Sequence, residues 1–338
     1  MAVFVGLVMW RMWPQAAGAD VQAYAFSGTA MGTSWNVKVV ADSLTDSEVA
    51  DVEAVIKAVI EDVEARMSTW RPESELSRLN KQGANVPFRL SAEILEVLTV
   101  AKSVHDSTGG AFDPTVGPLV DAWGFGPGKE RVEPGDQKIK ELLARVGLDG
   151  LSLDSEQRTA TKAHEHLQCD LSGIAKGYGV DKVAAVLVES GYPDFMVEIG
   201  GEVAVRGINE NDLPYRIGIE RPVQAGREVF SVIGITGLAV ATSGDYRNYR
   251  EVDGVRLSHT IDPRTGYPVG HNLASVTVVH PSCTYADAMA TALTVLGPQA
   301  ALALAVELKL AVQLIIRVGP GEFDILMTPQ FKELMVEQ

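Results

Sequence analysis

The segment from Asp170 to Asp181 carries one lysine and three glycines between its two terminal aspartates. Apolar residues follow at helical spacing up to Gly191, so the sequence predicts that a strand ends here and a helix begins. Free backbone N–H groups at a helix N-terminus favour anions. The segment has neither the Walker order G-x-x-x-x-G-K-[ST] nor the dinucleotide order G-x-G-x-x-G. It therefore predicts an anion site whose chemistry must be inferred from other residues.

Asp287 and Thr291 stand four residues apart in a segment of small residues. This spacing places a carboxylate and a hydroxyl on one face of a helix. Hard oxygen ligands of this kind suit Mg²⁺. Thr284 and Asp287 also have the spacing of a capping box, so the alternative is that Asp287 only closes a helix N-terminus.

His259 has the best catalytic setting of the six histidines. Residues 262–266 (DPRTG) have strong turn chemistry that would hold it on a firm scaffold. A neutral imidazole there can accept a proton from a hydroxyl. A structural or merely exposed histidine is the alternative. His164 and His166 offer at most a weak transition-metal pair, because no further ligands lie near them in the sequence.

Three further segments have aromatic or polar groups suited to a pocket. Trp70 follows the first long predicted helix, where its ring can stack on a flat ligand or cover core surface. Residues 110–119 and 241–249 have loop character, and each can line a pocket or form an ordinary turn. Residues 126–135 are rich in Gly, Pro and charge, which predicts a mobile loop.

The elements that must position these residues predict an α+β fold of mostly antiparallel sheets with packed helices. A capping box at Thr45 and Glu48 begins the first long helix, which ends before Arg71. A second helix is predicted from Ser91 to Val104, and others over residues 284–296 and 300–308. Strands are expected at residues 34–40, 195–199, 202–206, 215–219, 229–235, 238–242, 273–279, 312–318 and 323–327.

The composition is that of a globular protein, with 338 residues of which 46% are hydrophobic and 22% charged. The formal net charge is −15. Nucleic acid is therefore not an expected partner, because phosphate backbones require clustered Lys and Arg. An anionic ligand needs local cations or a metal ion.

Residues 1–19 are expected to form a cleaved signal peptide that directs the protein to the periplasm or outside the cell. Residues 2–10 are apolar but too short to span a bilayer, and Ala17-Gly18-Ala19 resembles a cleavage site. No Lys or Arg precedes the apolar run. A truncated start or a cytoplasmic protein is therefore the alternative.

Cys169 and Cys283 are the two cysteines of the chain. Two small buried thiols are the favoured interpretation. A disulfide between them is the alternative in an oxidising compartment.

Eight short motifs, taken in this order, resemble the ApbE family of FAD:protein FMN transferases. The resemblance covers nearly the whole chain after residue 19 and implies one T-fold-like domain over residues 20–338, formed as one unit or as two lobes packed around an FAD site. The motifs are residues 31–33 (MGT), 67–70 (MSTW), 111–114 (AFDP), 170–181 (DLSGIAKGYGVD), 198–202 (EIGGE), 241–249 (ATSGDYRNY), 258–266 (SHTIDPRTG) and 286–291 (ADAMAT).

The resemblance implies that the pyrophosphate of FAD is cleaved, that FMN passes to a Thr or Ser hydroxyl of a target protein, and that AMP leaves. It implies that Mg²⁺ is held by the Gly173 carbonyl, Asp287 and Thr291. His259 would be the base that acts on the acceptor hydroxyl. The residues implied to contact FAD are Met31, Trp70, Ala111, Phe112, Asp113, Asp170, Lys176 and Ile261.

The side-chain chemistry of Trp70 and Lys176 bears on two of these implied contacts. Trp70 stands where many family members have Tyr, so a role for a phenol at this place is lost. Lys176 can supply a positive charge to the pyrophosphate, and a solvated helix lysine is the alternative.

The acceptor implied by the family is a subunit of a membrane-bound electron-transfer complex, on the exported side of the membrane. Two other functions use the same residues. One is a pyrophosphatase that splits FAD to FMN and AMP with water in place of the acceptor hydroxyl. The other is a flavin-binding protein without catalytic activity, which would need neither His259 nor a metal ion.

Overall fold

The computed structural model describes residues 21–125, 133–223, 228–244, 249–252 and 255–336. The expected signal peptide and most of the expected mobile loop lie outside these residues. The helices are α1 (Asp46–Met67), α2 (Glu75–Lys81), α3 (Ala92–Ser107), α4 (Gly117–Ala122), α5 (Asp136–Leu143), α6 (Ala175–Glu189), α7 (Cys283–Leu296), α8 (Pro298–Glu307) and α9 (Pro329–Lys332). The strands are β1 (Gln22–Ala30), β2 (Thr33–Ala41), β3 (Phe88–Arg89), β4 (Leu151–Asp154), β5 (Thr159–Lys162), β6 (Asp194–Ile199), β7 (Glu202–Arg206), β8 (Tyr215–Glu220), β9 (Val229–Ile235), β10 (Leu238–Gly244), β11 (Tyr249–Val252), β12 (Val255–Ser258), β13 (Leu273–His280), β14 (Ala311–Gly319) and β15 (Glu322–Met327).

The main sheet has eight strands in the order β1-β2-β6-β7-β10-β13-β14-β15. All its neighbouring strands pair antiparallel. Smaller sheets are formed by β3, β5 and β4, by β8 and β9, and by β11 and β12. The prediction of an α+β fold with mostly antiparallel sheets is confirmed.

Both faces of the main sheet are covered, and by different elements. On one face, Val37 of β2 packs in a cluster with Ile56 of α1 and Val183 of α6. On the other face, Val205 of β7 packs with Ile233 of the β8–β9 pair and Phe331 of α9. Side chains alternate along each strand, so a single sheet serves two cores.

The first long helix begins as the sequence predicts. The Glu48 N–H donates to the Thr45 hydroxyl (3.3 Å), and the Thr45 N–H donates to Glu48 Oε2 (2.8 Å), which completes the capping box. Ser91 caps α3 in the same way by accepting from the Ile94 N–H (3.2 Å). These caps satisfy backbone donors that a helix N-terminus leaves free.

Helix α7 is nearly all buried, between the main sheet and helices α3 and α6. Its apolar composition follows from this position in the core. In the described part of the chain, no helix is both long enough and apolar enough to cross a membrane.

The strand expected before Asp170 is wrong. Strand β5 ends at Lys162, and the segment from residue 163 to 174 is irregular. The Asn80 carboxamide bonds both the N–H and the carbonyl of Cys169 (2.8 Å each), and the buried Lys162 ammonium donates to the Leu167 carbonyl (3.1 Å). Side chains thus take the place of a neighbouring strand.

The loop expected over residues 241–249 is wrong in part. Residues 241–244 belong to β10, and residue 249 begins β11, while residues 245–248 lie outside the described residues.

Cys169 and Cys283 are both free and buried. They belong to two different hydrophobic clusters, one around α3 and α7 and the other between β2, α1 and α6. The interpretation as two buried thiols is confirmed.

Candidate anion and metal site

Helices α6 and α7 meet in an antiparallel contact that brings the segment from Asp170 to Asp181 next to Asp287 and Thr291. Gly173 lies against Thr291, Gly177 against Asp287, and Asp181 against Thr284. Thr284, Asp287 and Thr291 are three and four residues apart and share one face of α7, while Gly177 and Asp181 share one face of α6 and Gly173 lies in the turn just before it. The two short motifs far apart in the sequence therefore form one site.

Gly177 is required by the closeness of this contact. A Cβ atom on Gly177 would lie 2.4 Å from the Cys283 carbonyl oxygen and 2.8 Å from the Asp287 Cβ. At Gly173, a Cβ would lie 3.3 Å from the Phe112 ring and 3.4 Å from the Thr291 hydroxyl oxygen. The absence of side chains at Gly173 and Gly177 lets the start of α6 approach Thr291 and Asp287 on α7.

The Asp287 carboxylate points into this contact and does not cap its own helix. Asp287 is 4% exposed, and its Oδ2 accepts the Gly177 N–H (3.0 Å). The N-cap of α7 is Ser282, whose hydroxyl accepts from the Tyr285 N–H (3.3 Å). The capping-box alternative for Asp287 is therefore wrong. The start of α6, where the sequence predicts an anion site, therefore binds a carboxylate of the chain itself, that of Asp287.

Asp181 supplies the anchor for the start of α7. Its carboxylate accepts from the backbone N–H groups of Cys283 (2.8 Å) and Thr284 (2.9 Å). It also accepts from the Thr284 hydroxyl (2.6 Å). A carboxylate at a helix N-terminus is stabilised by both the free N–H groups and the helix dipole. Asp181 thereby fixes the register between the two helices.

Lys176 lies between two buried carboxyl groups. Its ammonium is 3.0 Å from Glu202 Oε1 and 3.5 Å from Asp287 Oδ1. Desolvation opposes the charged form, but the attraction of Asp287 and Glu202 outweighs it and raises the pKa of Lys176. Burial also raises the pKa of Glu202 to about 8, although Lys176 opposes this rise. Lys176 is therefore a paired cation within the site, and the solvated-lysine alternative is wrong.

The residues present fit a divalent cation with a preference for oxygen. Asp287 offers a carboxylate and Thr291 a hydroxyl, and the backbone of Gly173 adjoins Thr291. The hydroxyl of Thr294, on the same helix, instead donates to the backbone carbonyl of Ala290 one turn earlier (2.8 Å). Hard oxygen donors of this kind are those that Mg²⁺ accepts, with phosphate oxygens or water completing its shell.

A second group of possible metal ligands lies elsewhere. His105, Asp106 and Asp149 come together among the described residues. The Lys102 ammonium already pairs with Asp106 (2.7 Å) and Asp149 (2.9 Å). This group is therefore a surface cluster whose two carboxylates already share a lysine partner.

Residues 111–116 form a loop beside the start of the Asp170 segment. The Asp170 N–H donates to the Pro114 carbonyl (2.6 Å), and the Asp170 carboxylate accepts from the Ser172 N–H (2.9 Å). The Phe112 ring approaches Gly173. The loop that carries Ala111 and Phe112 thus lies next to Asp170 and Gly173.

Asp113 is engaged inside its own loop. Its carboxylate accepts from the Thr115 N–H (2.7 Å), the Thr115 hydroxyl (2.6 Å) and the Leu148 N–H (3.0 Å). It is 7% exposed. These bonds give Asp113 a structural role, and its contact with a ligand stays a prediction.

Met31 and the Trp70 loop are connected through one carboxylate. The Met31 N–H donates to Glu64 Oε1 (3.1 Å), and Arg71 donates to Glu64 Oε2 (2.8 Å). Met31 has a φ of +51°, which the hairpin turn between β1 and β2 requires. Trp70 is 72% exposed, so its ring does not serve as core cover. It is available for stacking on a flat ligand.

His259 follows β12 and is half-buried. Its ring lies edge-on to that of Phe125, with the centroids 6.4 Å apart. The predicted turn after it is present, because the Gly266 N–H donates to the Asp262 carbonyl (2.8 Å). The imidazole is therefore placed on a firm scaffold.

Ile261 joins this turn to the rest of the site. It packs in a cluster with Leu119 and Trp123, which belong to or follow α4. Helix α4 begins at Gly117, whose Cβ position is 3.5 Å from the Asp170 Cβ. The turn that carries His259 thus connects to the Asp170 segment through α4.

Sequence reasoning missed Asp181, Glu202 and Glu64 as contributors to the site. Asp181 and Glu202 belong to the recognised motifs, but their partners lie on other elements. Glu64 is one of several acidic residues on α1, and its sequence position carries no signal of its contact with Met31.

The fold and site together define an α+β protein with a buried acid and lysine centre suited to a metal ion and a phosphate anion. The family model described as the ApbE family matches residues 31–316. The chain is 42% identical to the FAD:protein FMN transferase of Haemophilus influenzae, with 94% of this chain and 93% of the relative covered. The chain belongs to the ApbE family.

Solved structures show the same relationship. The flavin transferase ApbE from Vibrio cholerae matches with a TM-score of 0.84 and 38% identity, over 93% of this chain and 99% of that chain. The apo form of the Pseudomonas stutzeri flavinyl transferase ApbE matches with a TM-score of 0.84 and 36% identity, over 93% and 97%. The ApbE-like architecture is thereby confirmed.

Proposed function

We propose that this chain is an FAD:protein FMN transferase, which cleaves FAD and attaches FMN through a phosphoester bond to a Thr or Ser of a target protein, with AMP as the leaving product. The observation that carries the proposal is the contact of α6 with α7. It gathers Gly173, Lys176, Asp287 and Thr291 in a chain of the ApbE family. Phosphoryl transfer depends mainly on positioning and on neutralising charge, which these residues can provide.

The metal ion in this proposal is Mg²⁺, held by Asp287, Thr291 and the Gly173 carbonyl. When bound, it supplies charge neutralisation at the pyrophosphate. Lys176 adds a second positive charge next to Asp287 (3.5 Å). Asp287 is the one carboxylate assigned to the ion, so we expect the substrate phosphates to strengthen metal binding.

The base in this proposal is His259. A neutral imidazole would accept the proton of the acceptor hydroxyl as that oxygen attacks phosphorus. Support comes from its position on a turn that is tied to α4 through Ile261. The edge contact with Phe125 limits the orientations of the ring.

The test combines purified protein, FAD, Mg²⁺ and a peptide with one acceptor Thr. Mass spectrometry is expected to show FMN added to the peptide. Asp287→Asn keeps an oxygen that can accept the Gly177 N–H but loses the charge, so we expect transfer to fall by about 100-fold. Asp106→Asn is the matched control, because this exposed carboxylate only pairs with Lys102.

Each other function predicts a different result in the same experiment. Free FMN that acceptor peptide does not suppress would identify a pyrophosphatase. FAD recovered intact in the presence of Mg²⁺ and acceptor would identify a binding protein. A rate and pH profile unchanged in His259→Ala would remove that residue from the role of base.

The acceptor in this proposal is a subunit of a membrane-bound electron-transfer complex, and the protein acts in the periplasm or outside the cell. The support is the apolar run at residues 2–10 followed by the small residues at 17–19. A reporter fused after Asp20 should be exported. A reporter that stays in the cytoplasm would contradict this location.

A further inference from the structure

Glu202 is a buried carboxyl group without a role in the proposed chemistry so far. It is the first residue of β7 and is 3% exposed. Its Oε1 accepts from Lys176 at 3.0 Å. Its Oε2 is one of the buried atoms that lack a hydrogen-bond partner in the described part of the chain. Such an arrangement costs folding free energy, so it calls for a functional explanation.

The turn before Glu202 is shaped to receive the lysine. Gly200 has a φ of +63°, and a Cβ atom there would lie 3.1 Å from Lys176 Cδ and 2.8 Å from Thr33 Cγ2. The stem of Lys176 therefore runs across the turn between β6 and β7. The motif at residues 198–202 thus contacts the stem of Lys176 through Gly200 and its ammonium through the Glu202 carboxyl group.

The two partners of the ammonium are not equivalent. Glu202 is 3.0 Å away and Asp287 is 3.5 Å away. Without Glu202, the ammonium would face a single buried carboxylate, and attraction in this poorly solvated place would draw the two into a close pair. That pair would use the same Asp287 oxygens that a divalent cation needs.

We propose that Glu202 is a positioning residue that holds Lys176 back from Asp287, so that Asp287 can bind a divalent cation while Lys176 serves the anion. The inference rests on the proposed function, because it assigns Asp287 to the ion and Lys176 to the phosphates of FAD. It adds a residue that touches neither ligand and acts through Lys176.

The test measures Mn²⁺ binding, by electron paramagnetic resonance of the free ion, without FAD and without turnover. Glu202→Met fills the space of the side chain but removes the acceptor, and we expect Mn²⁺ to bind about tenfold more weakly. Glu202→Gln keeps an acceptor for Lys176, so we expect an affinity within about threefold of wild type. Circular dichroism and melting curves establish that each variant folds.

The decisive variant is the double substitution Glu202→Met with Lys176→Met. It removes the competing ammonium, so we expect the Mn²⁺ affinity to return to at least the wild-type value. FAD affinity, measured by flavin fluorescence, should stay low because the phosphates have lost a cation. A merely structural role for Glu202 predicts no such recovery.

Three results separate the possibilities. Wild-type affinity for Mn²⁺ in Glu202→Met would overturn the inference, and so would a loss that persists in the double variant. If wild-type protein itself bound no Mn²⁺, the metal assignment of the proposed function would fail instead. As a further control, Glu75→Gln changes a buried carboxyl group of α2 and should leave Mn²⁺ binding unchanged.

Discussion

Replacing Gly177 with alanine should separate helices α6 and α7 at the candidate site. The new Cβ would lie 2.4 Å from the Cys283 carbonyl oxygen, and ordinary contact begins at 3.4 Å, so the backbone of α7 must retreat by about 1 Å. The Gly177 N–H to Asp287 bond, now 3.0 Å, would then be too long to persist. The substitution therefore disturbs both the packing of the two helices and the position of Asp287, the proposed metal ligand.

The expected loss of stability is the sum of one stabilising contribution and two destabilising ones. Alanine gains about 1 kcal/mol of helix propensity over glycine. Overpacking costs about 1–3 kcal/mol, and loss of a hydrogen bond to a carboxylate costs about 1–3 kcal/mol. We therefore expect the free energy of unfolding to fall by about 1–5 kcal/mol, with a central value of about 3 kcal/mol.

Gly179→Ala is the matched control for this prediction. Its Cβ would meet only the ends of two side chains, Ile199 Cδ1 at 3.2 Å and Met31 Sδ at 3.7 Å, and both can move. We expect its stability to lie within about 1 kcal/mol of wild type. Guanidinium unfolding and Mn²⁺ titration measure the two effects. The reasoning would be refuted by a Gly177→Ala variant that is as stable as wild type and binds Mn²⁺ equally well.

Three further predictions concern Asp181, Trp70 and His280. Asp181→Ala should lower the free energy of unfolding by about 2 kcal/mol, because it removes the carboxylate that accepts from the first two backbone N–H groups of α7; equal urea midpoints would contradict this. Trp70→Ala should change stability by less than about 0.5 kcal/mol because the ring is exposed, yet weaken FAD binding, whereas Trp70→Phe should retain it; equal FAD affinities in titrations would exclude stacking. Burial lowers the pKa of His280 from 6.5, so the folded protein binds fewer protons than the unfolded chain and loses stability as the pH falls below 6.5. His280→Gln should remove that part of the slope, which is at most about 1.4 kcal/mol per pH unit; identical slopes in acid unfolding curves would contradict the assignment.

The parts of the fold that the sequence predicts are those with a strong local signal. The cap at Thr45, the stripe along α1 and the alternation in β2 each lie within a few neighbouring residues. Strand β1 is less visible because Gly28 interrupts it. That glycine is needed because a Cβ there would lie 2.7 Å from the Trp35 ring. The reason for Gly28 thus lies in the neighbouring strand.

In the candidate site too, local spacing predicts some features, whereas others depend on contacts between elements far apart in the sequence. The spacing of Asp287 and Thr291 predicts that they share a helical face, and both do face the start of α6. The sequence did not reveal that Glu202 would hold Lys176, because this contact depends on the packing of β7 against α6. Asp113 looks like a ligand residue in its motif, but its bond to Leu148 shows how much of that motif supports the loop itself.

The two free thiols divide the protein into regions whose opening can be followed separately. Cys169 is enclosed by the cluster around α3 and α7, and Cys283 by the cluster beneath α6. Burial raises the pKa of each thiol, so neither reacts with an alkylating reagent until its surroundings open. The labelling rates of the two cysteines therefore report the local opening of each core.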